Sequence, residues 1–386
     1  MLISTHARTN VRPVTHAFII GVSRYPCADG PGATEWGRQF GIENLSTAAR
    51  SASNVARWLL DSYCNPQAPL ATIRILLSPA EGEGIDRRIA SLMGQAAAPA
   101  TRDAVETEFH AFVKDCRTSA DNCAVVYVAG HGAQLTSREA LVLLEDFGVE
   151  GRTELHGAID VVGCHQALQS AGSPDHQLWL CDACRQRPHV ARRFETLTGA
   201  FRPSKLNIPG RPVPRSRALF LAASPGERAY AVPGGSTLFS QALLAGLNGA
   251  AARSPAPECN QWHVSPTSML RFLGPRVNGA LVDTEAVQTV ELADIGSDMI
   301  FHLLPQPPDV DIVVNLNPAD AQPVPRPELS RHGVGLVASD TWPLVYRGEA
   351  GIYSLSVTVE PPLTRGVSSF PFLAEPPQCV QSAEVS

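Results

Sequence analysis

The feature that most constrains the fold is a repeated alternation of short apolar runs and amphipathic stretches along most of the chain. Uninterrupted apolar runs are typical of strands that are buried on both faces, as in parallel sheets. Such runs occupy residues 17–22, 73–77, 124–129, 178–180 and 218–223. Helix-spaced apolar positions occur between them, most clearly in 45–64 and 102–116. This alternation predicts an α/β fold with a mostly parallel sheet, joined by right-handed crossovers and flanked by helices on both faces.

Two of the predicted strands end in chemically reactive side chains. Run 124–129 continues directly into His131 between two glycines, and run 178–180 continues into Asp182, Ala183 and Cys184. In open α/β sheets, ligands bind at the edge where the carboxyl ends of parallel strands meet. Because a thiol is mostly protonated at neutral pH, a cysteine nucleophile requires an imidazole as base and then as acid. The sequence therefore predicts a catalytic pair of Cys184 and His131 at this edge.

Each of these assignments has a plainer alternative. A free cysteine is most often a buried core residue, and a histidine between glycines can be a simple turn residue. Cys184 also forms a C-x-x-C pair with Cys181, which could indicate zinc binding or redox chemistry. We set both aside because the chain has no second cysteine pair for zinc and Cys181 ends an apolar run. No cofactor or metal is predicted, and the sequence leaves calcium dependence open.

The two motifs together resemble a known family. A strand into His-Gly, followed about 50 residues later by a strand into Asp-Ala-Cys, resembles the caspase-like cysteine peptidases, in particular their bacterial and metacaspase-like branch. Of the animal caspase signature Gln-Ala-Cys-Arg-Gly, this sequence matches Ala183, Cys184 and Arg185. The resemblance implies a caspase-like peptidase domain that acts through a thioester acyl-enzyme. It also implies that the backbone N–H groups of Gly132 and Cys184 form the oxyanion hole.

The resemblance also bears on substrate choice. Asp182 stands where metacaspases have an aspartate that helps line a pocket for Arg or Lys, so it implies cleavage after basic residues rather than after Asp. The plainer alternative for Asp182 is a solvated or capping carboxylate. The family usually adds a second acid in the first helix, but Ser51 stands at that position here, which weakens the case for strict basic specificity. Asp29, Glu35 or Glu227 could supply the missing charge.

The stretch 185–217 is rich in arginine and proline and predicts an exposed loop. A solvated connector is the commoner role of such a segment. It lies where the caspase family separates its large and small subunits, so the large-subunit-like part would be 15–184 and the small-subunit-like part 218–304. We therefore treat it as a candidate processing loop. Its candidate cleavage residues are Arg192, Arg193, Arg202, Arg211, Arg215 and Arg217.

The composition changes after residue 304, where a proline-rich linker begins. The following runs at 310–316, 333–338 and 352–359 alternate or are apolar, with turn residues between them. They predict that the peptidase domain spans 1–304 and that 305–386 forms a small β-rich, sandwich-like unit. We expect this unit either to pack on the peptidase or to bind a partner protein, and we expect disorder from about residue 364.

Charge and composition exclude several classes of partner. A net charge of -6 gives no support for nucleic acid binding, and no apolar run approaches the roughly 18 residues that span a bilayer. Residues 1–14 lack the apolar core of a signal peptide, and nine cysteines without regular spacing fit a reducing compartment. These features predict a cytoplasmic protein without a membrane partner.

The combined expectation is a cytosolic cysteine endopeptidase that acts on protein or peptide substrates after Arg or Lys. We expect activation by proteolysis in the loop after Cys184, either by the chain itself or by an upstream protease. The resemblance places such proteins in bacterial stress, cell-death or antiviral defence pathways. The alternative is a catalytically latent caspase-like adaptor whose C-terminal β-rich unit binds a partner protein.

Overall fold

A computed structural model describes residues 1–4, 13–94, 98–136, 139–169, 173–189, 197–203, 216–232, 234–256 and 259–386. Up to residue 304 its strands are β1 (Leu2–Ser4), β2 (Thr15–Val22), β3 (Leu70–Ser78), β4 (Cys123–Ala129), β5 (Gly132–Ala133), β6 (Leu141–Leu143), β7 (Ala158–Asp160), β8 (His176–Asp182), β9 (Ser216–Leu221), β10 (His263–Val264), β11 (Glu291–Ile295) and β12 (His302–Leu303). The later strands are β13 (Asp309–Asn317), β14 (Arg326–Arg331), β15 (Val334–Ala338), β16 (Leu344–Glu349), β17 (Gly351–Thr358), β18 (Val367–Ala374) and β19 (Gln378–Glu384). The α-helices are α1 (Glu35–Phe40), α2 (Ala48–Asp61), α3 (Arg87–Met93), α4 (Arg102–Cys116), α5 (Val161–Ala167), α6 (Leu238–Ala245) and α7 (Pro266–Gly279), and a π-helical turn at Gly246–Ala250 follows α6.

The chain divides into two compact units, and the division differs from a single boundary at residue 304. The first unit comprises 1–244 and 273–299, and the second comprises 245–272 and 300–386. Contacts between its two segments explain why the second unit takes residues from the middle of the chain. Strand β10 pairs with β12 in antiparallel orientation, and a Cβ atom added at Gly249 would lie 2.6 Å from the Pro308 Cβ. These contacts join residues that are distant in the sequence, so a boundary drawn from the change in composition does not show them.

The first unit is built on a seven-stranded sheet with the order β1-β3-β2-β4-β8-β9-β11. The five central strands are parallel to their neighbours, and the two edge strands β1 and β11 are antiparallel. The five apolar runs of the sequence are these five central strands, so the predicted mostly parallel sheet is confirmed. The edge strands were not predicted because each has one solvated side and therefore lacks a continuous apolar run.

Helices cover both faces of this sheet. Helix α4 packs Phe109 and Phe112 against Phe18 of β2, with ring centroids 5.5 Å apart in both pairs. Helix α2 packs against the opposite face, where a Cβ atom at Gly21 would lie 2.6 Å from that of Ala52. Successive side chains of a strand point to opposite faces, so positions 18 and 21 face different helices. Glycine at position 21 lets the backbone of α2 approach the sheet closely.

The second unit contains the predicted β-rich region, which is confirmed. Its strands form a three-stranded sheet, β16-β13-β19, and a four-stranded sheet, β15-β14-β17-β18. In β13 the side chains of Val310, Ile312 and Val314 are buried, while their neighbours are partly or fully exposed. This period of two is the pattern of a sheet with one buried face.

The prediction of disorder after residue 364 was wrong. Strand β19 pairs in parallel with β13 from Asp311 and Gln378 to Asn317 and Glu384. The Ser386 carbonyl accepts hydrogen bonds from main-chain N–H groups. The tail is short of large apolar residues, but Cys379, Ala383 and Val385 are buried at near-alternate positions. This weak alternation was the missed signal.

The connector between β8 and β9 is not exposed throughout. Phe201 is buried, its N–H donates to the Ala158 carbonyl at 2.7 Å, and its carbonyl accepts from the Asp160 N–H at 3.0 Å. Its ring packs edge-on against Phe109, with centroids 5.5 Å apart. The connector is therefore anchored at 197–203, because one large apolar side chain within a polar segment reaches the core.

Candidate active site

Strands β4 and β8 bring the two predicted catalytic residues to one edge of the sheet. The strands are adjacent and parallel, and Ala129 pairs with Asp182 at their carboxyl ends. His131 and Cys184 each lie two residues beyond this pair. The sequence-predicted pair therefore leaves the sheet at the same edge and on neighbouring strands.

The turn that carries His131 lies directly against the backbone of Cys184. A Cβ atom at Gly132 would overlap the Cys184 carbonyl oxygen and lie 2.9 Å from the Ala183 Cβ. Only glycine leaves room for this contact, so Gly132 has a packing role. The oxyanion role of the Gly132 and Cys184 N–H groups stays a prediction.

The ring of His131 is oriented by a main-chain acceptor. Its Nε2 lies 2.7 Å from the Glu43 carbonyl oxygen. Because a carbonyl can only accept, Nε2 carries the hydrogen, and the neutral ring keeps the lone pair of Nδ1 for a base. The Tyr25 ring packs against the His131 ring with centroids 5.0 Å apart, and the Tyr25 hydroxyl accepts the His131 N–H at 2.8 Å.

A small side-chain network fixes the segment that supplies the Glu43 carbonyl. The N–H and Nδ2 of Asn44 donate to Asp29 Oδ2 at 3.0 and 2.8 Å, and its Oδ1 accepts from the Tyr25 N–H at 2.7 Å. Asp29, one of the acids that could have supplied charge to the specificity pocket, therefore holds this segment. Sequence reasoning missed Tyr25 and Asn44. The available signal was the position of Tyr25 just beyond β2, at the same edge of the sheet.

The thiol of Cys184 and the imidazole of His131 both favour their neutral forms. Burial raises the pKa of the Cys184 thiol, although the Ala229 N–H, which donates to Sγ at 3.2 Å, partly opposes this shift. Burial lowers the pKa of His131, with the Glu43 carbonyl acting in the opposite direction. Within the part of the chain that the structure describes, Cys184 and His131 share no hydrogen bond. The arrangement is that of a resting thiol beside a resting imidazole.

Asp182 is the last residue of β8 and a buried carboxyl group, with 2% of the residue exposed. Its Oδ2 accepts hydrogen bonds from the Tyr127 hydroxyl at 2.5 Å and from the Thr237 hydroxyl. Its Oδ1 has no hydrogen-bond partner among the described residues. Burial raises the pKa of Asp182 to about 6, while the hydrogen bonds from Thr237 and Tyr127 act to lower it.

Ser51 belongs to the same cluster as Asp182 through Thr237. The buried Ser51 hydroxyl accepts the Thr237 N–H at 3.0 Å and lies 3.3 Å from the Thr237 hydroxyl. The structure thus brings together the two residues that the sequence associated with specificity. It also adds Thr237 and Tyr127, which sequence reasoning missed because neither has a local motif. We call Asp182, Tyr127, Thr237 and Ser51 the carboxylate cluster.

Neither of the other two acids considered for this pocket belongs to the carboxylate cluster. Glu227 accepts the Thr289 N–H at 2.6 Å and the Thr289 hydroxyl at 3.0 Å. Glu35 lies in the first turn of α1, where a negative charge is favourable for the helix. In the described structure Asp182 is therefore the one carboxylate of this cluster.

The candidate processing residues differ in their surroundings. Arg202 forms ion pairs with Asp160 and Glu139. Arg217 lies within β9 and donates to Asp294 at 2.8 Å. Arg185, which opens the predicted loop, is buried and paired with Glu291. Arg192, Arg193, Arg211 and Arg215 lie outside the described residues.

The described residues also bear on metal binding and membrane insertion. Among them, no group of three or more His, Cys, Asp or Glu side chains is placed to hold a metal ion. No described helix has both the length and the apolar character needed to cross a membrane. The absence of a cofactor and a cytoplasmic location stay predictions.

A parallel sheet whose neighbouring strands end in His and Cys defines the class of α/β cysteine hydrolases. Residues 15–276 match the family model of the caspase domain, Peptidase_C14. This match covers more than half of the chain. The chain therefore belongs to the caspase family of cysteine peptidases, and the predicted family is confirmed.

Two solved structures are similar to the chain. One is protein GSU0716 from Geobacter sulfurreducens, at 12% identity and a TM-score of 0.43, over 76% of this chain and 98% of that one. Another is caspase-1 from Spodoptera frugiperda, at 12% identity and a TM-score of 0.39, over 75% of this chain and 88% of that one. No curated protein matches the sequence.

Proposed function

We propose that this chain is a cysteine endopeptidase in which Cys184 is the nucleophile and His131 is the general base and acid. The observation that carries the proposal is the placement of both residues beyond the paired ends of β4 and β8, with the Nδ1 lone pair of His131 left available. Family membership in the caspase peptidases supports the same assignment.

The reaction follows from this arrangement. Nδ1 of His131 takes the proton of the Cys184 thiol, and the thiolate sulfur forms a bond to the peptide carbonyl carbon. The N–H groups of Gly132 and Cys184 stabilise the oxyanion. The imidazolium then gives its proton to the leaving amine as the C–N bond breaks, which leaves a thioester. Water, deprotonated by His131, hydrolyses the thioester and returns the thiol.

We propose that Asp182 directs cleavage to the peptide bond after Arg or Lys. A buried carboxylate oxygen without a hydrogen-bond donor is a strong acceptor for a cationic side chain, because pairing offsets the cost of its burial. A basic pocket, which cleavage after Asp would need, is inconsistent with a carboxylate at this position.

We propose that the enzyme is activated by cleavage in the connector after Cys184. The neutral thiol and imidazole share no hydrogen bond among the described residues, so a rearrangement is needed before proton transfer. The ion pairs of Arg202 and the strand position of Arg217 make both poor cleavage points. Arg192, Arg193, Arg211 and Arg215 are therefore the proposed processing residues.

The same resting arrangement favours a second candidate, a latent caspase-like adaptor whose C-terminal β-rich unit binds a partner protein. For this candidate, the Cys184 thiol stays neutral at all times and keeps the hydrogen bond that its Sγ accepts from the Ala229 N–H. For either candidate, a role in bacterial stress, cell death or antiviral defence is a proposal carried by family resemblance.

The experiment that tests these proposals is hydrolysis of fluorogenic peptides with Arg, Lys, Asp or Leu before the reporter. The wild type, Cys184→Ala and His131→Ala would be assayed before and after limited proteolysis of the connector. We expect cleavage after Arg and Lys that is lost in both variants. Absence of Cys184-dependent cleavage of all four peptides, even after proteolysis, would favour the adaptor.

A further inference from the structure

The two oxygens of the proposed specificity carboxylate, both buried, differ in their hydrogen bonding. Asp182 Oδ2 accepts two hydrogen bonds, from the Tyr127 and Thr237 hydroxyls, while Oδ1 has no partner among the residues described. A carboxylate oxygen has two lone-pair positions, so two donors fill Oδ2.

Thr237 is held in its role as donor by the groups around it. Its hydroxyl accepts the Ser240 N–H at 3.1 Å and lies 2.8 Å from the Ser240 hydroxyl, and its own N–H donates to Ser51 at 3.0 Å. Thr237 is 8% exposed, and Ser51 and Ser240 are fully buried. These contacts fix the Thr237 backbone and side chain, and the carboxylate of Asp182, as the charged acceptor, takes the Thr237 hydroxyl hydrogen in preference to the Ser240 hydroxyl.

We infer that Asp182 offers a substrate cation one carboxylate oxygen, and that Thr237 is the positioning residue that withholds the other. The inference rests on the proposed function, because it concerns the same specificity site. Arginine forms its strongest carboxylate pair as a fork with two parallel hydrogen bonds, one to each oxygen. Lysine is a point charge with rotatable donors and needs only one oxygen.

This geometry has a consequence for substrate choice. At a site with two open oxygens, the guanidinium gains a second charge-assisted hydrogen bond and arginine is preferred. At Asp182 that gain is absent, and Ser51 provides no second carboxylate. The site therefore recognises positive charge rather than the guanidinium fork, and Lys and Arg peptides should be cleaved at similar rates.

The test compares kcat/KM for two peptides that differ only in Arg or Lys before the scissile bond. For the wild type we expect values within about threefold of each other. Thr237→Val keeps the shape of the side chain but removes the hydroxyl, which frees Oδ2, so the Arg to Lys ratio should rise at least fivefold. Thr237→Ser, which keeps the hydroxyl, should retain the wild-type ratio.

The pH profile supplies a readout that a purely structural defect would not move. The Thr237 hydrogen bond lowers the pKa of Asp182, so Thr237→Val should shift the acidic limb of the profile for the Arg peptide to higher pH. If Thr237→Val does not fold, Tyr127→Phe removes the other donor to Oδ2 and should raise the same ratio.

The outcomes separate this inference from the function on which it rests. A wild-type preference for Arg above about thirtyfold would overturn the inference alone. An unchanged ratio and an unchanged acidic limb in folded Thr237→Val would do the same. If neither peptide were cleaved in a Cys184-dependent manner, the proposed function would fail and the inference with it.

Discussion

The reactive pair and the carboxylate cluster lie at the same edge of the sheet but are held in different ways. His131 and Cys184 make their closest polar contacts with main-chain groups, the Glu43 carbonyl and the Ala229 N–H. Asp182 is held by the side-chain hydroxyls of Tyr127 and Thr237. Substitution can remove a hydroxyl but not a main-chain group. The specificity of the site should therefore be easier to change by point mutation than its reactive geometry.

The largest effect should come from Gly132→Ala, which disrupts the main-chain contact between Gly132 and Cys184. The added Cβ would overlap the Cys184 carbonyl, and neither backbone segment can yield without moving a catalytic residue. A displacement of about 1 Å costs roughly 100-fold in rate, and we expect at least that loss in kcat/KM. The free energy of unfolding should fall by about 1–3 kcal/mol.

Gly274→Ala is the matched control for this prediction. A Cβ atom at Gly274, inside α7, meets no atom within 4 Å beyond its chain neighbours and its own helix backbone, so the same chemical change should leave activity close to that of the wild type and raise the free energy of unfolding by up to about 1 kcal/mol. Full activity in Gly132→Ala, measured alongside this control, would contradict the proposed contact between the two turns.

Asp182→Asn should produce the next largest effect, restricted to substrate recognition. Removing one partner of a buried charge pair costs about 2–5 kcal/mol, so kcat/KM for Arg and Lys peptides should fall about 100-fold. The rate at which iodoacetamide alkylates Cys184 should not fall, because the Asp182 charge acts to raise the pKa of the thiol and its removal favours the thiolate. A parallel loss of alkylation rate would show that the two regions are not separable.

The pKa of Asp182 predicts a pH dependence of both activity and stability. Cleavage of basic peptides should rise with pH through about 6, as the carboxylate becomes charged, and Asp182→Asn should lack this limb. The folded state binds the proton more tightly than the unfolded state, so this group contributes stability below about pH 4 that is lost as pH rises through about 6. A shift of about 2 pKa units corresponds to about 3 kcal/mol.

Denaturant unfolding of the wild type and Asp182→Asn between pH 4 and pH 7 checks the stability part. The difference in the free energy of unfolding between the wild type and Asp182→Asn should change by up to about 3 kcal/mol over this range. The change should favour the variant at higher pH. A constant difference would indicate that the carboxyl group has an ordinary pKa in the folded protein.

The smallest effect should come from Asn44→Ala, which loosens the segment that carries the Glu43 carbonyl. The variant loses the hydrogen bond to the Tyr25 N–H and the side-chain bond to Asp29. A hydrogen bond is worth about 1 kcal/mol, so we expect a loss of about fivefold in kcat. Glu43→Ala, by contrast, keeps the carbonyl that orients His131 and should cost less in kcat, although loss of the carboxylate should lower the pKa of His131. Equal losses in both variants would argue against this account.

The predictable part of this molecule is local in the sequence. Continuous apolar runs mark the five parallel strands, because a strand buried on both faces needs apolar residues at every position. The residues that follow the ends of β4 and β8 mark His131 and Cys184, since their strand positions alone bring them to one edge. The edge strands and the tail strand β19 were not predicted because a strand with one solvated side has no continuous apolar run in the sequence.

Taken alone, the sequence determined the family and the main sheet, and it predicted the pair of Cys184 and His131. Only the tertiary structure decided how Asp182 is held, that Ser51 joins it, and that Asn44 fixes the segment beside His131. Ser51 is 186 residues from Thr237, and Thr237 is 55 residues from Asp182. Hydrogen bonds between residues this far apart leave no periodic pattern in the chain, because they depend on where packed helices and strands place isolated polar side chains.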